Sequence, residues 1–207
     1  MPLGPGTFYD RYAKRWFDVV ASAGALVVLS PLLAGVAIAV RHQHGKPVLF
    51  RQKRSGLNGT PFEILKFRTM TDERDATGAL LPDKQRLTKL GQWLRSTSID
   101  ELPELWNVLR GEMSLVGPRP LLHHYLDRYS ERELRRHECR PGLTGMVGVN
   151  GRNTSTWPER FEMDVYYVEH LGPVLDAKII LKTIVTVVSQ KGVDPGFADQ
   201  MPEFQGH

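Results

Sequence analysis

One cysteine, Cys139, stands among 207 residues. An internal disulfide is therefore impossible, and a Cys-based metal site is not available. That suits a globular face kept in a reducing compartment. Charge is missing from a whole stretch: no Asp, Glu, Lys or Arg occurs from Val19 to Val40. No small-residue cleavage site follows that run, which argues against a signal peptide. The chain is basic, with net charge +4 and pI near 9.3, yet it carries no helix-turn-helix, RNP or zinc-finger pattern. A nucleic-acid reader is not indicated. Internal repeats are absent as well. Mean hydropathy is −0.29, too polar for a polytopic bundle. The length supports one polar domain plus one apolar segment.

Residues 16–40 read WFDVVASAGALVVLSPLLAGVAIAV. This meets the length criterion for a membrane-embedded helix. A core helix would show a polar face, and this one shows none. Ser30-Pro31 sits near the middle, where proline removes a backbone hydrogen bond and crowds the preceding turn. Both flanks are basic: Arg11, Lys14 and Arg15 before, Arg41, Lys46, Arg51, Lys53 and Arg54 after. A positive-inside bias then orients no span, but is satisfied if both ends face the cytoplasm. On this segment alone, a re-entrant helix broken at Ser30-Pro31 and a spanning helix with a tolerated kink fit equally. Asp18 is expected to pair with Lys14 or Arg15. From Arg11 to Arg68 ten Lys/Arg face two acids. Such a cluster suits anionic headgroups, at about 1 kcal/mol each, or an anionic substrate.

Beyond the anchor the pattern predicts an α+β domain. Residues 1–10 are expected to be disordered, 11–42 to form the membrane helix, 43–193 the catalytic domain and 194–207 a loose tail. Val48–Lys53 and Phe62–Thr69 read as a hairpin around SGLNGTP. In its second strand Lys66 and Arg68 share a face. Residues 71–86 form a polar loop whose acids do not match a calcium loop. Two helices follow, with Leu87, Leu90, Trp93, Leu94 and then Ile99, Leu102, Leu105, Trp106, Leu109 at helical spacing. Gly117-Pro118-Arg119-Pro120 is a rigid turn, and 121–136 reads as one charged amphipathic helix. Residues 140–153 hold four glycines, where backbone can approach a ligand closely. Thr156-Trp157-Pro158-Glu159 is a capping box opening a helix to about His170. A last helix spans about Leu175 to Gln190, with Ile179, Ile180, Thr183, Ile184, Val187 and Val188 on one stripe. That stripe suits the core, a membrane interface or a homodimer contact.

The chemistry concentrates at RSTSIDELP, residues 95–103. Ser98 and Glu101 have capping-box spacing, and acids are favoured in a first helical turn. That alone would account for Asp100 and Glu101. The functional alternative is that two adjacent carboxylates divide labour beside cations. One attacks an electrophile, as carboxylates do in some phosphoryl-transfer enzymes. The other offers the hard oxygen that Mg²⁺ prefers, substrate phosphates completing the shell. Lys66, Arg68, Arg95, Arg119 and Arg152 each adjoin rigid or apolar sequence. The planar guanidinium fork suits phosphate oxygens.

Taken together the motifs resemble the bacterial sugar transferases, the monotopic phosphoglycosyl transferases. The likeness covers about Lys14 to Val193. It runs through KRWFD and the Ser-Pro-containing apolar segment, FEILKFRTM, RSTSIDELPELWNVLRGEMSLVGPRP, RPGLTGMVGVNGRN and FEMDVYYV. The short chain, and DERDATGALLPDKQRL, look like the small single-domain type typified by the diacetylbacillosamine-phosphate transferase. The extra N-terminal multi-span domain of the larger hexose-phosphate relatives is not expected.

The resemblance implies transfer of a sugar 1-phosphate from a UDP-sugar to polyprenol (undecaprenol) phosphate, releasing UMP. Asp100 would be the nucleophile of a ping-pong scheme, and Glu101 would bind Mg²⁺. Lys66, Arg95, Arg119 and Arg152 match basic positions around phosphates, and Asp164 an acidic active-site position. Ser30-Pro31 matches the break of a re-entrant helix, now the favoured geometry, on the cytoplasmic face of a bacterial inner membrane. Two other readings stay open: a non-catalytic membrane-anchored scaffold, and a Mg²⁺-dependent nucleotide-sugar diphosphatase. The sugar itself is not legible.

Overall fold

The structure is a computed structural model and describes residues 4–150, 155–189 and 203–206. A π turn, Tyr9–Ala13, runs straight into the long helix α1 (Lys14–His44). The helix continues through Ser30-Pro31, where an interruption was expected. Pro31 has no N–H for the carbonyl of Val27, four residues back. The Ser30 hydroxyl donates to that carbonyl at 2.7 Å instead, so the lost bond is replaced from the neighbouring side chain. The middle of α1 touches little: Val27 and Val28 are 74% and 76% exposed.

Both ends of α1 are fastened to the same domain. At the first end Lys14 meets Asp176 at 2.6 Å, with both side chains buried. Arg15 donates to the carbonyls of Val108 and Leu109. Asp18 accepts from the backbone N–H of Leu115, so it does not take up the ammonium of Lys14. At the other end Val36 and Val40 pack with Phe67 and Leu94. His44 reaches the Thr88 hydroxyl at 2.9 Å. Residues 4–10, expected to be disordered, also have partners: Gly4 N–H donates to Leu171 O, and the Tyr9 hydroxyl to Asp176.

The expected hairpin is present as β1 (Leu49–Ser55) and β2 (Pro61–Phe67), antiparallel, with Lys66 opposite Phe50. On β2 the alternation Phe62, Ile64, Lys66 carries one face from the core into the site. Phe62 and Ile64 pack with Val108 and Met113. The short helices α2 (Asp83–Arg86), α3 (Lys89–Ser96) and α4 (Glu104–Arg110) follow. The outer edge of β2 is closed by one side chain of α4. Asn107 accepts from Leu65 N–H at 3.1 Å and donates to Glu63 O at 2.7 Å, as a paired strand would. It thereby fixes α4 along β2. Asn107→Ala strands two backbone groups beside a fully buried position. The variant is expected to lose about 2–6 kcal/mol of unfolding free energy, at about 1–3 kcal/mol per orphaned group, measurable by denaturant titration.

β3 (Ser114–Val116) and β4 (Gly142–Thr144) pair in parallel. Their glycines serve chain crossing, where ligand approach was expected. A Cβ on Gly142 would stand 2.1 Å from Gly117 N, so only glycine admits this approach. The amphipathic helix expected over 121–136 is broken into a 3₁₀ stretch His123–Arg128, helix α5 (Glu131–Leu134) and a 3₁₀ turn Arg135–His137. Ser130 starts α5 with its own capping box to Glu133, which divides the segment. After α6 (Met146–Asn150) come α7 (Trp157–Glu169), with the expected Thr156–Glu159 capping box, and α8 (Pro173–Ser189). The stripe on α8 splits. Ile179 is buried in the core, while Ile184 and Val187 of the stripe, with Leu181 and Val185 beside it, are exposed. The tail is not wholly loose. Phe204 is buried among Tyr125, Tyr129, Trp157 and Phe161.

Candidate active site

The capping box expected at Ser98 does not form. Ser98 takes the left-handed conformation, φ 56°, and its side chain caps nothing. Ile99, Asp100 and Glu101 instead make one 3₁₀ turn ahead of Leu102-Pro103. At three residues per turn the two carboxylates diverge and serve different partners.

Glu101 takes the cations. Its Oε1 accepts from Lys66 Nζ at 2.7 Å and from Arg119 Nη2 at 2.8 Å. The two cations outweigh its burial and hold its pKa well below the usual carboxylate range. Asp100 is left uncommitted. It is buried, and no described residue donates a hydrogen bond to it. Burial and the neighbouring Glu101 charge push its pKa up to about 6, against the opposing pull of Lys66, Arg95 and Arg119. An ionised carboxylate that is desolvated and not hydrogen-bonded is a strong nucleophile, and three cations surround the place where negative charge would gather.

A third carboxylate lies here that the sequence reading passed over. Glu104, in the first turn of α4, is 3% exposed. Its Oε1 has no hydrogen-bond partner and stands 3.4 Å from Lys66 Nζ. Burial raises its pKa to about 7. Its i, i+3 spacing from Glu101 was the available signal, but an acid in a first helical turn explains itself.

Arg95 is held by Thr69, with Nε 3.1 Å from the hydroxyl, and lies close enough to lower the Asp100 carboxyl. Arg68 is not in the site. It follows the last residue of β2 and its backbone N–H still pairs with Val48 O at 3.0 Å, but its side chain is engaged elsewhere. Its guanidinium donates to the carbonyls of His44 and Pro47 and to Asp72, fastening the end of α1 to the hairpin. Asp164 is not free to meet substrate either. It is buried and accepts from Arg136 at 2.7 and 3.0 Å. Arg136 in turn donates to the Arg119 carbonyl at 2.7 Å. The pair sets the Pro118–Pro120 turn from behind. Arg136, unremarkable among the charges of 121–136, was missed. Arg152 lies outside the described residues.

The oxygen-rich set at 100–104 suits a hard divalent ion. Among the described residues no three His, Cys, Asp or Glu side chains converge as a complete metal site. Mg²⁺ needs no such cage, since one or two carboxylates and substrate phosphates suffice. The Glu104 oxygen, ion-paired to Lys66 at 3.4 Å without a good hydrogen bond, adds a third carboxylate to this set.

A sequence model described as Bacterial sugar transferase matches residues 9–190. A protein named "Uncharacterized sugar transferase EpsL", from Bacillus subtilis (strain 168), is 51% identical over 180 residues, covering 87% of this chain and 89% of its own. The UDP-glucose:undecaprenyl-phosphate glucose-1-phosphate transferase of Caulobacter vibrioides (strain ATCC 19089 / CIP 103742 / CB 15) is 40% identical over 203 residues, with 91% and 76% covered. The UDP-galactose-lipid carrier transferase of Erwinia amylovora is 37% identical over 201 residues, with 88% and 42% covered. With its carboxylate turn, basic wall and long apolar helix all inside the matched residues, the chain belongs to the bacterial sugar transferase family.

Proposed function

We propose that the protein transfers a sugar 1-phosphate from a UDP-sugar to undecaprenyl phosphate through a covalent intermediate on Asp100. As a bacterial sugar transferase it is an enzyme of phosphoglycosyl transfer; the donor, the acceptor and the intermediate are our reading. One observation carries it: Asp100 is a buried carboxylate with no hydrogen bond from the described residues, beside three cations, while Glu101 absorbs two of them. An Asp100 oxygen forms a bond to the sugar-linked phosphorus. The bond to the bridging oxygen breaks and UMP leaves with the electron pair. An oxygen of the lipid phosphate then displaces Asp100 and restores its carboxylate. Lys66, Arg95 and Arg119 hold the diphosphate oxygens and stabilise the charge that develops on them. Glu101 would hold Mg²⁺, which neutralises the diphosphate when bound. Relatives named for UDP-glucose and UDP-galactose favour a hexose donor over an N-acetylated amino sugar.

The acceptor phosphate sits at headgroup depth. A single domain fastened to both ends of α1 supports a re-entrant placement, with both ends on the cytoplasmic face of the inner membrane. The exposed apolar middle around Val27, Val28 and Leu32 then enters the bilayer. Cysteines placed singly before Lys14 and after Lys46 are both expected to react with an impermeant thiol reagent only from the cytoplasmic side. Opposite-side labelling would mean a span.

The reaction is tested by UMP release from a panel of UDP-sugars, with and without undecaprenyl phosphate. Turnover that requires the lipid, with at most one UMP per enzyme in its absence, is expected. Steady UMP release without lipid would indicate a diphosphatase, and no release a scaffold.

A further inference from the structure

Glu101 faces a conflict that the geometry states directly. The oxygen proposed to meet a divalent cation already accepts from two cations, Lys66 at 2.7 Å and Arg119 at 2.8 Å. Bringing a third positive charge to that carboxylate repels both. Arg119 is half exposed and can turn toward the substrate phosphates. Lys66 cannot leave so easily. It rises from β2, its side chain is 17% exposed, and a desolvated ammonium without a carboxylate is costly.

A carboxylate stands ready. Glu104 is three residues on from Glu101, across Leu102-Pro103, and within ion-pair range of the same ammonium. Its Oε1 is ion-paired to Lys66 Nζ at 3.4 Å, longer than a good hydrogen bond, and has no hydrogen-bond partner among the described residues. A buried carboxylate oxygen paired this loosely is less than fully satisfied, and a native fold keeps such a group for a reason. Nothing in the two-carboxylate mechanism uses it.

We infer that Glu104 is a positioning residue that takes over the Lys66 ammonium when Glu101 turns to a divalent cation. The exchange needs no large motion, because Lys66 is already within ion-pair range of both carboxylates. It keeps the ammonium charged, desolvated and aimed into the site while Glu101 is released. The inference rests on the proposed role of Glu101, and its test separates the two.

The test titrates Mn²⁺, as a stand-in for Mg²⁺, into the full-length protein in lipid nanodiscs, reading free Mn²⁺ by electron paramagnetic resonance. UDP is present to supply phosphates without a transferable sugar. Glu104→Gln leaves Lys66 with only Glu101 to pair with, so Lys66 competes with the metal. The Mn²⁺ dissociation constant is expected to rise about tenfold or more, the range for groups that support a metal ligand. The double variant Glu104→Gln/Lys66→Met removes the competitor and is expected to restore wild-type affinity, although it does not turn over. Equal Mn²⁺ affinity in wild type and Glu104→Gln would overturn the inference. So would a weak double variant, which would make Glu104 a direct metal ligand. Wild type binding no Mn²⁺ would overturn the metal role of Glu101 itself, and this inference with it.

Discussion

Asp100→Asn is expected to lose sugar-phosphate transfer by about 10⁴-fold or more, as removal of a covalent nucleophile does elsewhere. The substitution is nearly isosteric. Asp100 accepts no hydrogen bond from the described residues, so none is broken. Stability is expected to move the opposite way from activity. The carboxyl is raised from 3.8 to about 6 by burial and by Glu101, so its ionised form is disfavoured in the folded state. The folded protein therefore holds this proton more tightly than the unfolded chain does. The resulting penalty is absent at low pH, grows as pH rises between about 4 and 6, and stays constant above. Asn carries no such penalty. The melting temperature of Asp100→Asn should match wild type near pH 4 and equal or exceed it at pH 7. Lost activity with an unchanged or raised melting temperature places the effect in the chemistry. A fall in melting temperature at pH 7 would mean that Asp100 is structural.

Asp164→Ala is expected to damage the protein by a different route. Arg136 is buried, and its charge is met by Asp164 through two bonds to one carboxylate oxygen. Stacking beneath Tyr129 and Phe161, each 5.9 Å away, does not replace a carboxylate. Removing one partner of a buried pair costs about 3–5 kcal/mol, most of it the uncompensated charge left behind. Because Arg136 also holds the Arg119 carbonyl, the residual enzyme should show a raised KM for the UDP-sugar. The double variant Arg136→Met/Asp164→Leu separates the two effects. It removes both charges, so most of the stability should return. The KM should stay high, since nothing then fixes the turn. Full recovery of both would mean that the pair has no bearing on Arg119.

These outcomes depend on groupings that the sequence displayed unevenly. Hairpin and capping-box signals act over a few residues, so β1–β2 and the start of α7 were legible. Lys66, Arg95, Arg119, Asp100 and Glu101 were legible as a set because each stands in rigid or patterned sequence. Arg68 was misplaced because its guanidinium is taken by the carbonyls of His44 and Pro47, which strand alternation does not show. Ser98 has the capping spacing but a left-handed backbone, which depends on the packing of α3 and α4 around it. Asp164 and Arg136 lie on separate elements, and only the tertiary fold shows that each satisfies the other. Phe204 stands in a polar tail with no periodic neighbours; its burial is supplied by α7 and the 3₁₀ stretch before α5. The continuity of α1 through Pro31 turned on one local bond, from the Ser30 hydroxyl to the Val27 carbonyl, that a proline rule alone does not foresee.

The account turns on Asp100 as the residue that carries the sugar phosphate. The most direct measurement is the intact mass of the wild-type protein after incubation with a UDP-hexose and Mg²⁺, without lipid acceptor, followed by peptide mapping. The expected result is one added hexose phosphate on the peptide containing Asp100, lost on adding undecaprenyl phosphate and absent from Asp100→Asn. Wild-type enzyme that turns over with lipid yet never carries the adduct, or carries it on another residue, would contradict the account.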